Sequence, residues 1–226
     1  MTAARLAVLD DLGDRWMLET ERFTCEAIEA SFERTAPLML DVGVGNGLAT
    51  RAWAAEHPDR DVVAVELHRP GISRLIKDLD ENGPGNVRVV DGDVTTLIDD
   101  LGPSTLAEVR ILFPDPWPKR RHHKRRLVDP TFVGAVTDRL TVGGHLHLAT
   151  DWLDYADAMR SALDTEPRLE TVVDHDDGPA VDAEGRALEM PTRWRTNRPS
   201  RPVTAYEQRG IDAGRTITDL LTRRTR

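Results

Sequence analysis

The sequence predicts an α/β fold built on a mostly parallel, doubly wound sheet, and three observations carry that expectation. Short, mostly apolar runs at Leu38–Val42, Val62–Glu66, Val87–Val90, Val109–Phe113 and His145–Ala149 alternate with stretches of helical periodicity. Strands buried on both faces read as near-continuous apolar runs, and their alternation with helices signals parallel pairing through crossovers. The chemically active residues all follow strand ends: Asp41 to Gly47, Glu66, Asp93, Asp115 and Asp151. Right-handed crossovers collect those ends on one edge of the sheet, where open α/β folds bind ligands.

Taken in order, residues 1–36 read as one or two leading helices. The first strand leads through a glycine turn into a helix over Leu48–Glu56, and Ile72–Leu79 spaces its apolar residues as a second crossover helix. A helix over Phe132–Leu140 stops at Gly143-Gly144, ahead of the fifth strand. Segment 174–200 is polar, with Gly, Pro and Asp, and reads as a loop. Residues 201–226 read as an extended piece followed by a final helix that ends in Arg223, Arg224 and Arg226. The expected organisation is one domain over 1–226, with leading helices, a core over 37–173, the polar loop, and a C-terminal strand and helix.

Composition narrows the function classes. A net charge of -9 and an isoelectric point near 5.3 do not describe a protein that coats nucleic acid without specificity. The single cysteine, Cys25, excludes an intramolecular disulfide and suits a reducing compartment. No apolar run approaches the ~20 residues of a spanning helix, and the N-terminus lacks a charged-then-apolar secretory pattern. The chain is expected in the cytoplasm, as a monomer or homodimer, without a membrane. No His/Cys cluster has metal-ligand spacing, so no metal is expected.

Against the acidic background, residues 113–126 stand out: Phe-Pro-Asp-Pro-Trp-Pro, then eight residues from Lys119 to Arg126 that are all basic or histidine. Proline continues neither a helix nor a ladder, so Pro114, Pro116 and Pro118 hold a defined loop around Asp115. A rigid carboxylate beside the Trp117 ring and a cationic arm suits a nucleobase on a phosphate backbone. Arg121 and Lys124 are candidate phosphate contacts, which supply affinity without reading sequence. Trp117 either stacks on a base or anchors the loop. Arg193, Trp194, Arg195 and Arg198 form a second candidate RNA-facing group.

Residues 41–47, Asp-Val-Gly-Val-Gly-Asn-Gly, form a second candidate site. Gly43, Gly45 and Gly47 let the backbone turn tightly beside a ligand at a helix N-terminus. A dinucleotide fingerprint would need glycine at 48, where this chain has Leu48. Asp41 would repel a pyrophosphate but can pair with an ammonium group, which favours a ligand with an amino-acid end such as S-adenosylmethionine. Glu66 stands where such folds place an acid on ribose hydroxyls, and Asp93 can accept from an adenine amino group.

These pieces, with Ala149-Thr-Asp-Trp152 and the stretch from Arg201 to Gly210, resemble the bacterial tRNA (guanine-N7-)-methyltransferase family over residues 38–226. The resemblance implies a Rossmann-like class I methyltransferase fold. It also implies methyl transfer from S-adenosylmethionine to N7 of a variable-loop guanosine, position 46 of tRNA. By the same resemblance Asp41, Glu66, Asp93 and Asp115 contact the cofactor, with Asp115 also the active-site carboxylate. Lys119, Asp151 and the segment Thr204, Ala205, Tyr206, Glu207 would contact the substrate. Three departures accompany it: Asp41 where the family usually has Glu, Ala205 where it usually has Lys, and no Arg-Gly-Arg-x-Thr segment in 1–36. The residues leave open a related N-methyltransferase acting on an exocyclic amine, another RNA base or a small molecule. A binding module without turnover is the non-enzymatic alternative.

Overall fold

The computed structural model describes residues 3–18, 23–172 and 201–226. Two leading helices, α1 (Ala3–Trp16) and α2 (Cys25–Phe32), precede an alternation of strands and helices. These are β1 (Leu38–Val42), α3 (Leu48–Glu56), β2 (Asp61–Glu66), α4 (Arg69–Asn82), β3 (Val87–Asp91), α5 (Val94–Leu97) and β4 (Leu106–Leu112). Then follow α6 (Pro130–Arg139), β5 (Leu140–Thr150), α7 (Leu153–Asp164), β6 (Leu169–Thr171), α8 (Ala205–Asp212) and β7 (Thr218–Arg224).

The strands form one sheet in the order β3-β2-β1-β4-β5-β7-β6. Pairings among β1 to β5 are parallel, as the apolar runs predict, while β7 runs antiparallel to both β5 and β6. Alternation along the strands divides the core in two. Met39, Val62, Ala64, Val87 and Val89 meet Trp16, Trp53, Ile72, Leu75, Ile76 and Leu79 from α1, α3 and α4. Leu40, Val63, Val65, Val109, Ile111 and Leu148 face the opposite core with α2, α6 and α7. Strand order reverses between β1 and β4, and the crevice beyond their carboxyl ends is the binding position of such sheets.

The order of elements at the C-terminus corrects the sequence reading: α8 comes first and the chain closes as a strand. Thr204 caps α8 by accepting from the Glu207 amide at 3.2 Å, a start signal at the position read as extended. In β7, Leu220 and Thr222 are buried beside β5. The basic ending belongs to this strand, with Arg223 paired to Glu170 of β6. Segment 174–200 and the residues Arg193, Trp194, Arg195 and Arg198 lie outside the described residues.

Two buried ionic groups tie the sheet together. Arg110 of β4 is 1% exposed and grips Asp41 of β1, 3% exposed, with Nη2–Oδ2 at 2.6 Å and Nε–Oδ1 at 3.2 Å. Thr50 of α3 donates to the same carboxylate at 2.7 Å. Burial works against the Arg110 charge and Asp41 works for it, and the balance favours the cation. Across β5 and β7, His147 Nε2 lies 2.8 Å from Asp219 Oδ1, and Arg201 reaches Asp219 at 3.2 Å and also pairs with Glu207.

Both groups give measurable outcomes. Arg110→Met leaves Asp41 a buried charge without its cation, with the Thr50 hydroxyl still bonded to it, and should cost about 3–5 kcal/mol in urea unfolding; adding Asp41→Asn should recover part of it. Desolvation pushes the Asp219 carboxyl up, but the His147 hydrogen bond and the charges of His147 and Arg201 outweigh it, so the group sits below its ordinary value. A depressed folded-state value contributes stability that is complete above the unfolded value of about 4 and fades as pH falls through the folded one. Thermal melts on the acid side of about pH 4 should therefore decline more steeply for the wild type than for Asp219→Asn; parallel acid limbs would remove Asp219 from this account.

Candidate functional site

At the carboxyl ends of β1 to β4 lies a cavity of about 970 Å³, the size of pockets that enclose whole small ligands. The glycine loop forms one wall. Gly43, Gly45 and Gly47 all take positive φ, at 71°, 57° and 70°. A side chain at Gly47 would also collide with Leu75, whose Cδ1 would lie 2.2 Å from an added Cβ, so Gly47 sets helix packing and does not line the cavity. Gly71, unremarked in the sequence, is needed for the same reason: an added Cβ would stand 2.4 Å from the Gly45 carbonyl oxygen.

Glu66 fastens this loop to the end of β2. Its Oε2 accepts from the Gly45 amide at 2.7 Å, and its Oε1 accepts from the amides of Leu67 and His68, each at 2.8 Å. A carboxylate has about four acceptor sites, so one more donor can be received. Asp93 caps α5, accepting from the Thr95 amide and hydroxyl at 2.9 and 2.8 Å, and lines the cavity beside Ile98 and Asp99.

The opposite wall is the proline loop. Phe113 and Trp117 both have left-handed backbones, at φ 55° and 44°, conformations that cost non-glycine residues of order 1–3 kcal/mol each. Between them Asp115 is exposed and lines the cavity. The Trp117 ring is held within its own loop: the Arg125 guanidinium lies over it at 4.9 Å and His122 meets it edge-on at 5.9 Å. These contacts anchor the loop, and the half-buried Trp117 also lines the cavity, so both roles read from the sequence are compatible with its place.

The basic run folds into a 3₁₀ turn over Arg120–Arg125. Lys119, Arg121 and Lys124 are exposed, and only Lys124 of the three also lines the cavity. Arg126 departs from the arm reading. Its side chain is 6% exposed, donates to the Pro116 carbonyl at 2.9 Å and pairs with Asp154 of α7.

The cavity thus brings together Gly43, Gly45, Glu66, Asp93, Asp115, Lys124 and Tyr206. Tyr206 is 54% exposed and reaches the glycine loop, its Cε2 3.4 Å from where a Gly45 Cβ would be. Several of the expected contact residues have partners within the protein or lie outside the cavity. Asp41 does not face the cavity with a free carboxylate for an ammonium group, because Arg110 and Thr50 occupy it. Glu207, 2% exposed, is enclosed with Arg201, and Thr204, half-buried, caps the helix. Asp151 is paired with Arg215 at 2.8 Å outside the cavity. Leu67, His68, Thr131 and Phe132 line the cavity and were not singled out from sequence; for Leu67 and His68 the signal was their place directly after Glu66.

Among the described residues no cluster of three or more potential metal ligands occurs, and no helix is long and apolar enough to cross a membrane. Comparison with known proteins gives one consistent result. A family model described as "Putative methyltransferase" matches residues 35–220. A tRNA (guanine-N(7)-)-methyltransferase of Thiobacillus denitrificans is 42% identical, covering 96% of this chain and 87% of its own. One from Nocardioides sp. is 42% identical, covering 93% and 78%. The solved antibiotic-resistance methyltransferase Kmr shares the fold at a TM-score of 0.57, with 17% identity over 89% of this chain and 93% of that one. With sequence identity at this level over nearly the whole chain, the protein belongs to the tRNA (guanine-N7-)-methyltransferase family.

Proposed function

We propose that the protein transfers the methyl group of S-adenosylmethionine to N7 of the variable-loop guanosine, position 46, in tRNA, and does so in the cytoplasm. One observation supports this above the others: the glycine loop, Glu66 and Asp93 share a single cavity with Asp115 and the inner side of the basic turn. A nucleoside-binding half and a phosphate-facing half open onto the same space.

The residues fit the cofactor. Glu66 retains acceptor capacity for a ribose hydroxyl, Asp93 is a hydrogen-bond acceptor for an adenine amino group, and Gly43 and Gly45 line the cavity without side chains. Bound there, S-adenosylmethionine supplies an electrophilic methyl carbon on a positively charged sulfur. Guanine N7 has an in-plane lone pair and no proton, so no base is required. The C–N7 bond forms as the C–S bond breaks, sulfur keeps the electron pair, and the purine takes up the positive charge.

Asp115 suits this charge movement. A fixed carboxylate accepts donors from the guanine edge, orients the ring for in-line attack and stabilises the cationic product. It acts as an orienting and electrostatic group, not as a proton acceptor. Asp41 contributes indirectly, by bracing the strand end from which the glycine loop departs. Lys119 and Arg121 neutralise phosphates outside the cavity, and Lys124 does so at its rim.

The test is incubation with methyl-labelled S-adenosylmethionine and an unmodified tRNA transcript, followed by the strand scission diagnostic of N7-methylguanosine. Label and scission should both vanish when the variable-loop guanosine is replaced. Label that persists without scission would mean an exocyclic amine or another acceptor, and would overturn the N7 assignment. Asp115→Asn should lower kcat by about 10²-fold with little change in tRNA affinity. The double variant Lys119→Glu/Arg121→Glu should weaken tRNA binding and flatten its salt dependence by about one unit of slope per lost phosphate contact. Calorimetry should find cofactor binding by that variant unchanged, since neither side chain lines the cavity.

A further inference from the structure

The late segment from Arg201 to Glu207 meets the proline loop at one point. Arg201 is 9% exposed overall and its side chain is 1% exposed. Its guanidinium is fixed by Glu207 on one side and by Asp219 on the other, at 3.2 and 3.3 Å. Asp219 is in turn held by His147 of β5. The guanidinium so placed lies over the Phe113 ring, 5.4 Å from its centroid.

Phe113 is the residue whose backbone must be left-handed for the chain to leave β4 and enter the Pro114-Asp115-Pro116 turn. Its amide still bonds to the Ala149 carbonyl at 2.8 Å, so the strand is pinned up to this residue and turns immediately after it. Proline fixes φ at 114 and 116 and biases Asp115 towards an extended backbone, so the setting of Phe113, where the chain leaves the strand, is one determinant of the carboxylate's direction. A Phe113 free to relax towards an extended backbone would swing Asp115 away from the cavity.

We propose that Arg201 is a positioning residue for the transfer step. Through the Phe113 ring it holds the turn that aims Asp115, and Glu207 and Asp219 serve to fix Arg201. This rests on the role given to Asp115 above and goes beyond it, because it makes a buried cluster on the C-terminal segment part of the active-site geometry. A lysine at 201 keeps the charge for both carboxylates but has no planar face to lay on a ring, so it separates holding the fold from holding Phe113.

The experiment is a double-mutant cycle of Arg201→Lys and Phe113→Leu, read as kcat, KM for tRNA, cofactor Kd and Tm. Each single variant should lose about tenfold or more in kcat, as small misplacements of a reacting group do, and Arg201→Lys, at a residue that does not line the cavity, should keep KM and cofactor Kd within about twofold of wild type. The double variant should be no slower than the slower single variant. Wild-type kcat in Arg201→Lys, or losses that multiply in the double variant, would overturn the inference while leaving the methyltransferase reading intact. Wild-type protein that methylates no tRNA would overturn both. Should Arg201→Lys not fold, Glu207→Gln takes its place in the cycle, with the same expected and overturning results.

Discussion

The turn from Phe113 to Trp117 constrains much of the surrounding structure. Its two ends are left-handed at residues that have a side chain, and neither would stay so in an isolated peptide. Neighbouring groups oppose each relaxation separately. At the first end the Ala149 carbonyl and the Arg201 guanidinium hold Phe113. At the second, Arg125 and His122 hold the Trp117 ring, and Arg126 holds the Pro116 carbonyl. Prolines at 114, 116 and 118 add to this from the other direction, by removing conformations from the unfolded chain. The result is a backbone held at both ends around a carboxylate that is exposed to solvent and lines the cavity.

A second consequence is that acids which look alike in sequence take different parts. Asp41, Glu66, Asp93 and Asp115 all stand just past a strand or at its last turns. Asp41 is sealed beneath the loop with a guanidinium and a hydroxyl, and its work is to fix the β1–β4 junction where strand order reverses. Glu66 both braces and faces the cavity, since its carboxylate carries the Gly45 amide while lying on the wall. Only Asp93 and Asp115 are mainly presented outward. The shorter side chain at 41 fits its place: an aspartate carboxylate lies close enough to the β1 backbone to meet Arg110 on the neighbouring strand in two-point contact.

How much of this was legible in the sequence follows from the range of the interactions involved. β1 to β5 were legible because burial on both faces leaves a local apolar signature, and the helices between them because their periodicity is local as well. The glycine loop, Glu66, Asp93 and Asp115 were legible through their position after strand ends. The burial of Glu207 and Arg126 was not, because each is neutralised by a partner that only the folded chain brings to it: Arg201 for one, Asp154 for the other. The final strand was misread for a different reason. An arginine-rich ending resembles a helix C-terminus, but Thr218–Arg223 pairs residue by residue with β5, and tertiary pairing decides.

The charge distribution gains a physical sense once the basic turn is placed. The chain as a whole carries -9, so most of its surface repels a polyanion, while screening at physiological salt limits each local field to about 8 Å. Within that range the cations of Lys119–Lys124 dominate their own face, and RNA approaching elsewhere gains nothing. Selectivity of this kind concerns orientation more than affinity. Lys124 and Arg125 stand on the turn and also on the wall of the cavity that holds Asp115. In the proposed reading, a phosphate captured by the turn would place its nucleotide beside the carboxylate, and the acidic body would lower the number of wrong dockings that compete with that one.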